Sequence, residues 1–216
     1  MNARGRVRAA LSGAGGTLGA GRVRDAAARP VAHPFAPTRP AEPGASRTRA
    51  VAPHAAPDGV AYLASIQRYV VDGHVGLTPV VRAWVAAAAF SRRGGTLGHL
   101  TGAGEEILVV AAGRDDPGLE AAIAAARLPV VRFDGGAGAH PLVDRWAAVR
   151  AIEERRAGCA RAVGEAALAA GAGPLVVEGP VAPYADLAGG ARVVGVVERH
   201  ETLYLGGDDL AAALTL

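Results

Sequence analysis

Three carboxylates of this chain stand in the same local setting. Val70-Val71-Asp72-Gly73, Arg132-Phe133-Asp134-Gly135 and Val176-Val177-Glu178-Gly179 each place one acid directly after an apolar run and directly before glycine. In α/β sheets ligands gather at the carboxyl ends of strands. If these three strands are neighbours running the same way, Asp72, Asp134 and Glu178 converge on one spot, and close carboxylates repel unless a cation neutralises them. Ligands that offer only oxygen suit Mg²⁺ or Mn²⁺, so the expectation is a divalent metal site with these three acids as ligands and catalytic groups. A single acid before glycine is ordinary turn chemistry at a strand end, and only the recurrence lends the pattern weight.

The histidines and glycines near these acids offer less. His74 follows Asp72 by two residues and shares its face if the strand continues, as a metal ligand, a proton carrier or a surface side chain. His140 and Asp144 stand four apart at a helix start, where capping and pairing account for both. Gly135-Gly136-Ala137-Gly138 precedes that helix and is the one well-placed candidate for a phosphate loop. No Gly-x-Ser-x-Gly, P-loop, Cys-x-x-Cys or His-Glu-x-x-His motif occurs, which removes the sequence support for serine hydrolase, P-loop ATPase, zinc-ribbon and zincin chemistry.

The elements that must position the acids follow from periodicity and punctuation. A strand through Ile66 to Val71, a turn at Gly76-Leu77-Thr78-Pro79 and a strand from Val80 to Phe90 read as a hairpin. Arg92-Arg93-Gly94-Gly95 makes a second turn before a weaker segment near Leu97 to Leu100, so the domain opens antiparallel. Ile107 to Ala111 is a buried-strand run. Asp116 and Pro117 suit the N-cap and first position of a helix with apolar residues at Leu119, Ala122, Ile123 and Ala126. Pro129 to Phe133 is the next strand. A long helix from about Pro141 to Ala170 carries its stripe at Leu142, Trp146, Val149, Ile152, Cys159, Val163 and Ala167, interrupted by Arg156. Leu175 to Val177 and Val193 to Val197 are further strands, and Asp208 to Leu216 begins a helix without a cap, as expected of a chain truncated at its C-terminus. The reading is an α/β fold, a mixed sheet whose antiparallel opening strands are followed by β-α-β units. On this order alone, ribonuclease-H-like and Rossmann-like arrangements both stay open.

Composition divides the chain at residue 57. The first 57 residues hold nine Arg against two acids, the remainder fourteen Arg against eighteen. The basic balance therefore belongs to the N-terminal part and gives the domain no general surface for phosphate. Pro at 30, 34, 37, 40, 43, 53 and 57 and the lack of periodicity predict that residues 1–57 form a disordered extension, including the glycine-rich Gly13 to Gly19, and that residues 58–216 form the α/β domain. All basic residues are Arg, which reads as a compositional bias. Cys159, the one cysteine, has no disulfide partner and reads as a small core residue in a reducing compartment. No apolar run approaches a membrane span, so the cytoplasm and no membrane are the expectations.

Pro174 to Leu205, PLVVEGPVAPYADLAGGARVVGVVERHETLYL, resembles the NurA family of nucleases. In that family an apolar strand ends in Asp-Gly-Ser and a following strand reads roughly Val-Gly-Val-Val-Lys-Ser-His. Here Glu178, Pro180 and Glu198 replace the family's Asp, Ser and Lys, while His200 and Tyr204-Leu205 match. Val71-Asp72-Gly73 is a second candidate for the Asp-Gly-Ser strand, and the sequence leaves both registers open. The resemblance favours a ribonuclease-H-like fold. It implies a Mn²⁺- or Mg²⁺-dependent nuclease acting on DNA ends, a homodimer partnered with a HerA-type ATPase translocase. Asp72, Asp134 and Glu178 would then be catalytic metal ligands, and Arg199 and His200 the groups on the DNA phosphates. The alternative is a non-catalytic or truncated relative that works through protein contacts.

Overall fold

The structure is a computed structural model, and it describes residues 1–19, 24–25, 58–135, 140–179, 181–188 and 193–196. The chain opens on helix α1 (Ala3–Gly13) and two short strands, β1 (Thr17–Leu18) and β2 (Arg24–Asp25). Three long strands follow: β3 (Ala61–Val75), β4 (Thr78–Arg93) and β5 (Thr96–Ala111). Helix α2 (Pro117–Ala126), β6 (Val130–Phe133), helix α3 (Pro141–Ala169), β7 (Leu175–Glu178), the short helix α4 (Ala185–Ala188) and β8 (Val193–Val196) complete the described order.

The strands form one mixed sheet in the order β6-β5-β4-β3-β7-β8, with β1 and β2 pairing with β3 beyond the reach of β7. β3, β4 and β5 are antiparallel neighbours, whereas β5 with β6, β3 with β7 and β7 with β8 are parallel. The predicted antiparallel opening and the later β-α-β crossovers are both present. The turn between β4 and β5 needs two successive left-handed residues, and Gly94 and Gly95 supply φ of 54° and 82° without the steric cost of a Cβ.

Long apolar strands require cover on both faces, and the helices divide that work. α3 lies along one face. Its N-terminal half packs Val149 and Ile152 against Val81, Ile107, Val109 and Phe133, and its C-terminal half packs Val163 and Ala167 against Leu63, Ala89 and Leu175. Among the described residues the other face is covered at one end, where α1 and α2 bring Val7, Leu11, Leu119 and Ala122 onto Val80, Leu108 and Val110. Asp116 caps α2 as predicted, its Oδ1 accepting from the amides of Gly118 and Leu119 at 2.7 and 3.2 Å. Arg6 of α1 closes the opposite end of α2, donating to the carbonyls of Ala125 and Ala126 at 2.9 Å each.

Several expectations are corrected. The N-terminal part of the predicted disordered extension is folded: Val7 and Leu11 are fully buried, and β1 pairs Thr17 and Leu18 with His74 and Gly73 of β3. Gly13 to Gly19 therefore belongs to the domain, with the Gly19 amide bonded to the Asp72 carbonyl at 2.9 Å. Residues 26–57 and the predicted helix at 208–216 lie outside the described residues. In α3, Leu142 and Trp146 are exposed rather than part of the stripe. The interruption at Arg156 is filled by polar partners on β3, with bonds to Ser65 Oγ at 2.6 Å and Gln67 Oε1 at 3.2 Å. Cys159 is half-buried, not a core residue. No helix among the described residues is long and apolar enough to cross a membrane.

Candidate functional site

Asp72 sits near the carboxyl end of β3, at a β-bulge between Val71 and Gly73. It is fully buried, and a carboxylate out of water needs a partner. Arg82 of β4 provides it, with Nε donating to Oδ2 at 2.8 Å and Nη2 to Oδ1 at 3.3 Å. Nη1 of Arg82 reaches Glu106 of β5 at 2.7 Å, and the guanidinium lies 4.7 Å from the centre of the Trp84 ring. Burial works against the Arg82 charge, but its bonds to Asp72 and Glu106 outweigh that penalty and hold its pKa above the ordinary value. Both lobes of Asp72 are thus committed to a cation that the chain itself carries.

The three predicted acids occupy strands that run in one direction, because β3 and β5 are both antiparallel to β4 while β6 and β7 follow β5 and β3 in parallel. Direction is not level, however. β7 pairs only with the first residues of β3, Ala61 with Leu175 and Leu63 with Val177. Glu178 is therefore level with Ala64, eight residues short of Asp72, which at about 3.3 Å per residue is about 26 Å along the strand. Asp134 leaves β6 beyond Phe133, which pairs with Ala111. It lies three strands from Asp72, about 14 Å across the sheet, and four strands from Glu178, about 19 Å across and about 33 Å along.

Asp72, Asp134 and Glu178 do not converge. Asp134 and Glu178 are exposed at separate places, and Asp72 is buried on Arg82. Among the described residues no group of three or more His, Cys, Asp and Glu side chains can hold a metal ion. The shared Mn²⁺ or Mg²⁺ site expected from the sequence does not fit this geometry. The cause is the unequal length of the partners: a four-residue strand against a fifteen-residue one reaches only one of its ends.

The other candidates resolve individually. His74 is half-buried in β3, opposite Pro79 and Thr17. His140 caps α3, its Nδ1 accepting from the Leu142 amide at 3.2 Å. Asp144, in the first turn of α3, is 1% exposed, and neither carboxylate oxygen has a hydrogen bond. The Arg114 guanidinium stands 3.6 Å away, and a Cβ on Gly135 would come within 3.3 Å of Oδ1. The sequence signals the position of Asp144 but not its burial, which arises from the packing of the α3 start over β5 and β6. Arg199, His200, Glu198 and Gly136 to Gly138 lie outside the described residues. Compared with known families, curated proteins and solved structures, the chain shows no match to any family model, curated protein or solved structure.

Proposed function

We propose that this chain is a non-catalytic relative of the NurA-like nucleases, built on a ribonuclease-H-like sheet and serving as a protein-contact module. The strand order supports the fold half of this reading. Within it, β5-β4-β3 form the antiparallel opening, and β7 and β8 add in parallel outside β3, a layout consistent with the ribonuclease-H-like expectation. The resemblance at Pro174 to Leu205 supports the lineage.

One observation carries the non-catalytic half: Glu178 is level with Ala64, not with an acid, and Asp72 is neutralised by Arg82. A two-metal phosphodiesterase needs carboxylates close enough to share ions about 3.5–4 Å apart. The registers separate these acids by several times that distance. The competing reading, a Mn²⁺- or Mg²⁺-dependent nuclease on DNA ends with a HerA-type ATPase and a dimeric state, draws on the same resemblance and on the exposed carboxylate of Glu178 at the end of β7.

The deciding experiment incubates the purified full chain with labelled single- and double-stranded DNA in Mn²⁺, in Mg²⁺ and in chelator. The expected result is no cleavage above that of Glu178→Gln under any condition. Cleavage that requires metal, vanishes in chelator and is lost in Glu178→Gln would overturn the proposal in favour of the nuclease.

A further inference from the structure

β5 is sixteen residues long, but β6 pairs only with Leu108 to Ala111. From Thr96 to Glu106 its outer edge has no strand neighbour among the described residues. At about 3.3 Å per residue this is about 35 Å of strand edge without a described neighbour. Edge strands of this length are normally protected by charge, by proline or by distortion, because unpaired N–H and C=O groups template another strand. The run Leu97 to Gly104 carries no Asp, Glu, Arg or Pro, and its one distortion is the bulge beside Leu100 that accompanies the register change at Ala89 and Phe90. Thr101 to Glu106 is regular and, at Gly102 and Gly104, has no side chain to obstruct an incoming strand.

Below this edge the sheet is not flat surface but one wall of a groove. A cavity of about 360 Å³ lies between Gly104 of β5 and Gly158, Cys159 and Ala162 of α3, closed at one end by the ion pair of Arg155 with Glu105 at 2.6 Å. The Cys159 thiol reaches across this groove to the Ala103 carbonyl at 3.6 Å. A second, separate cavity of about 300 Å³ lies farther along β5 beside the β4–β5 turn, lined by Ser91, Arg93, His99 and Leu100. An exposed strand edge over a helix floor of small residues is the geometry in which a peptide joins a sheet, with main-chain bonds for affinity and pockets for alternate side chains.

We infer that the β5–α3 groove binds an extended segment of a partner protein by strand addition. The occupant is a segment with small apolar side chains toward α3 and acidic residues at its carboxyl end. Antiparallel pairing, the stronger arrangement, puts that carboxyl end beside the exposed guanidinium of Arg93, so charge is complementary at that end, while the amino end lies beside the Arg155–Glu105 pair. The inference deepens the contact-module reading and rests on it. DNA cleavage and peptide binding are measured separately, so a failed titration leaves the outcome of the nuclease assay intact.

The test titrates the full chain with an unlabelled peptide of alternating Val and Ala ending in Glu-Glu, with calorimetry for binding and iodoacetamide labelling of Cys159 for location. Binding should saturate, slow Cys159 alkylation about threefold or more, and protect the amides of Thr101 to Glu106 from hydrogen exchange. Gly158→Phe is the blocking variant: a Cβ there meets open space, so the helix accepts the side chain, which then fills the groove. It should weaken binding about tenfold or more, and Arg93→Glu should weaken it less. Three outcomes would overturn the inference: no binding at millimolar peptide, binding unchanged in Gly158→Phe, or sedimentation showing that a second copy of the chain already covers the β5 edge.

Discussion

Arg82 holds Asp72 through its Nε at 2.8 Å in a setting where the carboxylate is wholly shielded from water. The pair joins β3 to β4, and the remaining arm of the guanidinium carries the link on to Glu106 of β5. What the sequence offers as a metal ligand is thus an internal tie across the three central strands. Removing one partner of a buried pair leaves the other charge uncompensated, at a cost of about 3–5 kcal/mol. Arg82→Leu should therefore lower the urea midpoint by an amount corresponding to a loss in that range. A loss below about 1 kcal/mol, the range of surface pairs, would show that Asp72 is solvated after all.

Leu11 makes a comparable case for the N-terminus. It is fully buried against β4, β5 and α2, and truncating a core leucine typically costs about 2–5 kcal/mol. Leu11→Ala should destabilise the domain by that amount, and deleting residues 1–19 should cost at least as much. Limited proteolysis gives an independent check, since α1 should resist cleavage as long as β5 does. Early release of residues 1–19 with the domain intact would contradict the packing.

The contrast between α1 and β5 shows what the sequence reveals and what it does not. The hairpin of β3 and β4 and the later strands were legible because they are apolar runs bounded by turn residues, and α2 because Asp116-Pro117 is a local capping signal. β5 was not, since its Gly-rich middle joins the weak segment near Leu97 and the run from Ile107 into one strand, Thr96–Ala111. α1 carries only two buried residues among three arginines, and its arginines are there for tertiary reasons: Arg6 caps α2, and Arg8 reaches the Gly19 carbonyl at 2.8 Å. No local pattern reports such partners. The candidate site failed on a related point. Asp72, Asp134 and Glu178 do follow strands of one direction, as read, but register is a pairing between distant segments, and β7 pairs with the wrong end of β3 for convergence.

Cys159 provides a pH readout of the groove beside β5. Burial pushes its thiol above the ordinary value, and the Glu105 carboxylate adds to the shift by opposing the thiolate. The sign follows from linkage: the folded state favours the neutral thiol, so this contribution to stability is complete below the unfolded pKa of about 8.5 and is lost as pH rises through the folded one. Iodoacetamide should accordingly label the folded chain more slowly than the urea-unfolded chain at pH 8, and the gap should narrow at higher pH. Equal rates at pH 8 would mean that the thiol is fully solvated.

Two glycines should respond to alanine with opposite signs. A Cβ on Gly73 would collide with the carbonyl oxygen of Thr17, a backbone atom of the paired strand β1 that has no freedom to rotate away. It would also press on Cδ1 of Leu11 at 2.8 Å, so the substitution strains both the β1–β3 pairing and the packing of α1. Overpacking of this kind costs about 1–3 kcal/mol. Gly158 stands on the exposed side of α3 with nothing within 4 Å of its added Cβ, and there glycine is a liability: alanine in a helix interior is favoured by about 1 kcal/mol. Gly73→Ala should therefore lower the melting temperature and hasten proteolysis within residues 1–19, whereas Gly158→Ala should raise the melting temperature and leave proteolysis unchanged. If Gly73→Ala is neutral while Gly158→Ala stabilises as expected, β1 is not held against β3 in solution, and the N-terminal part of the fold must be redrawn without it.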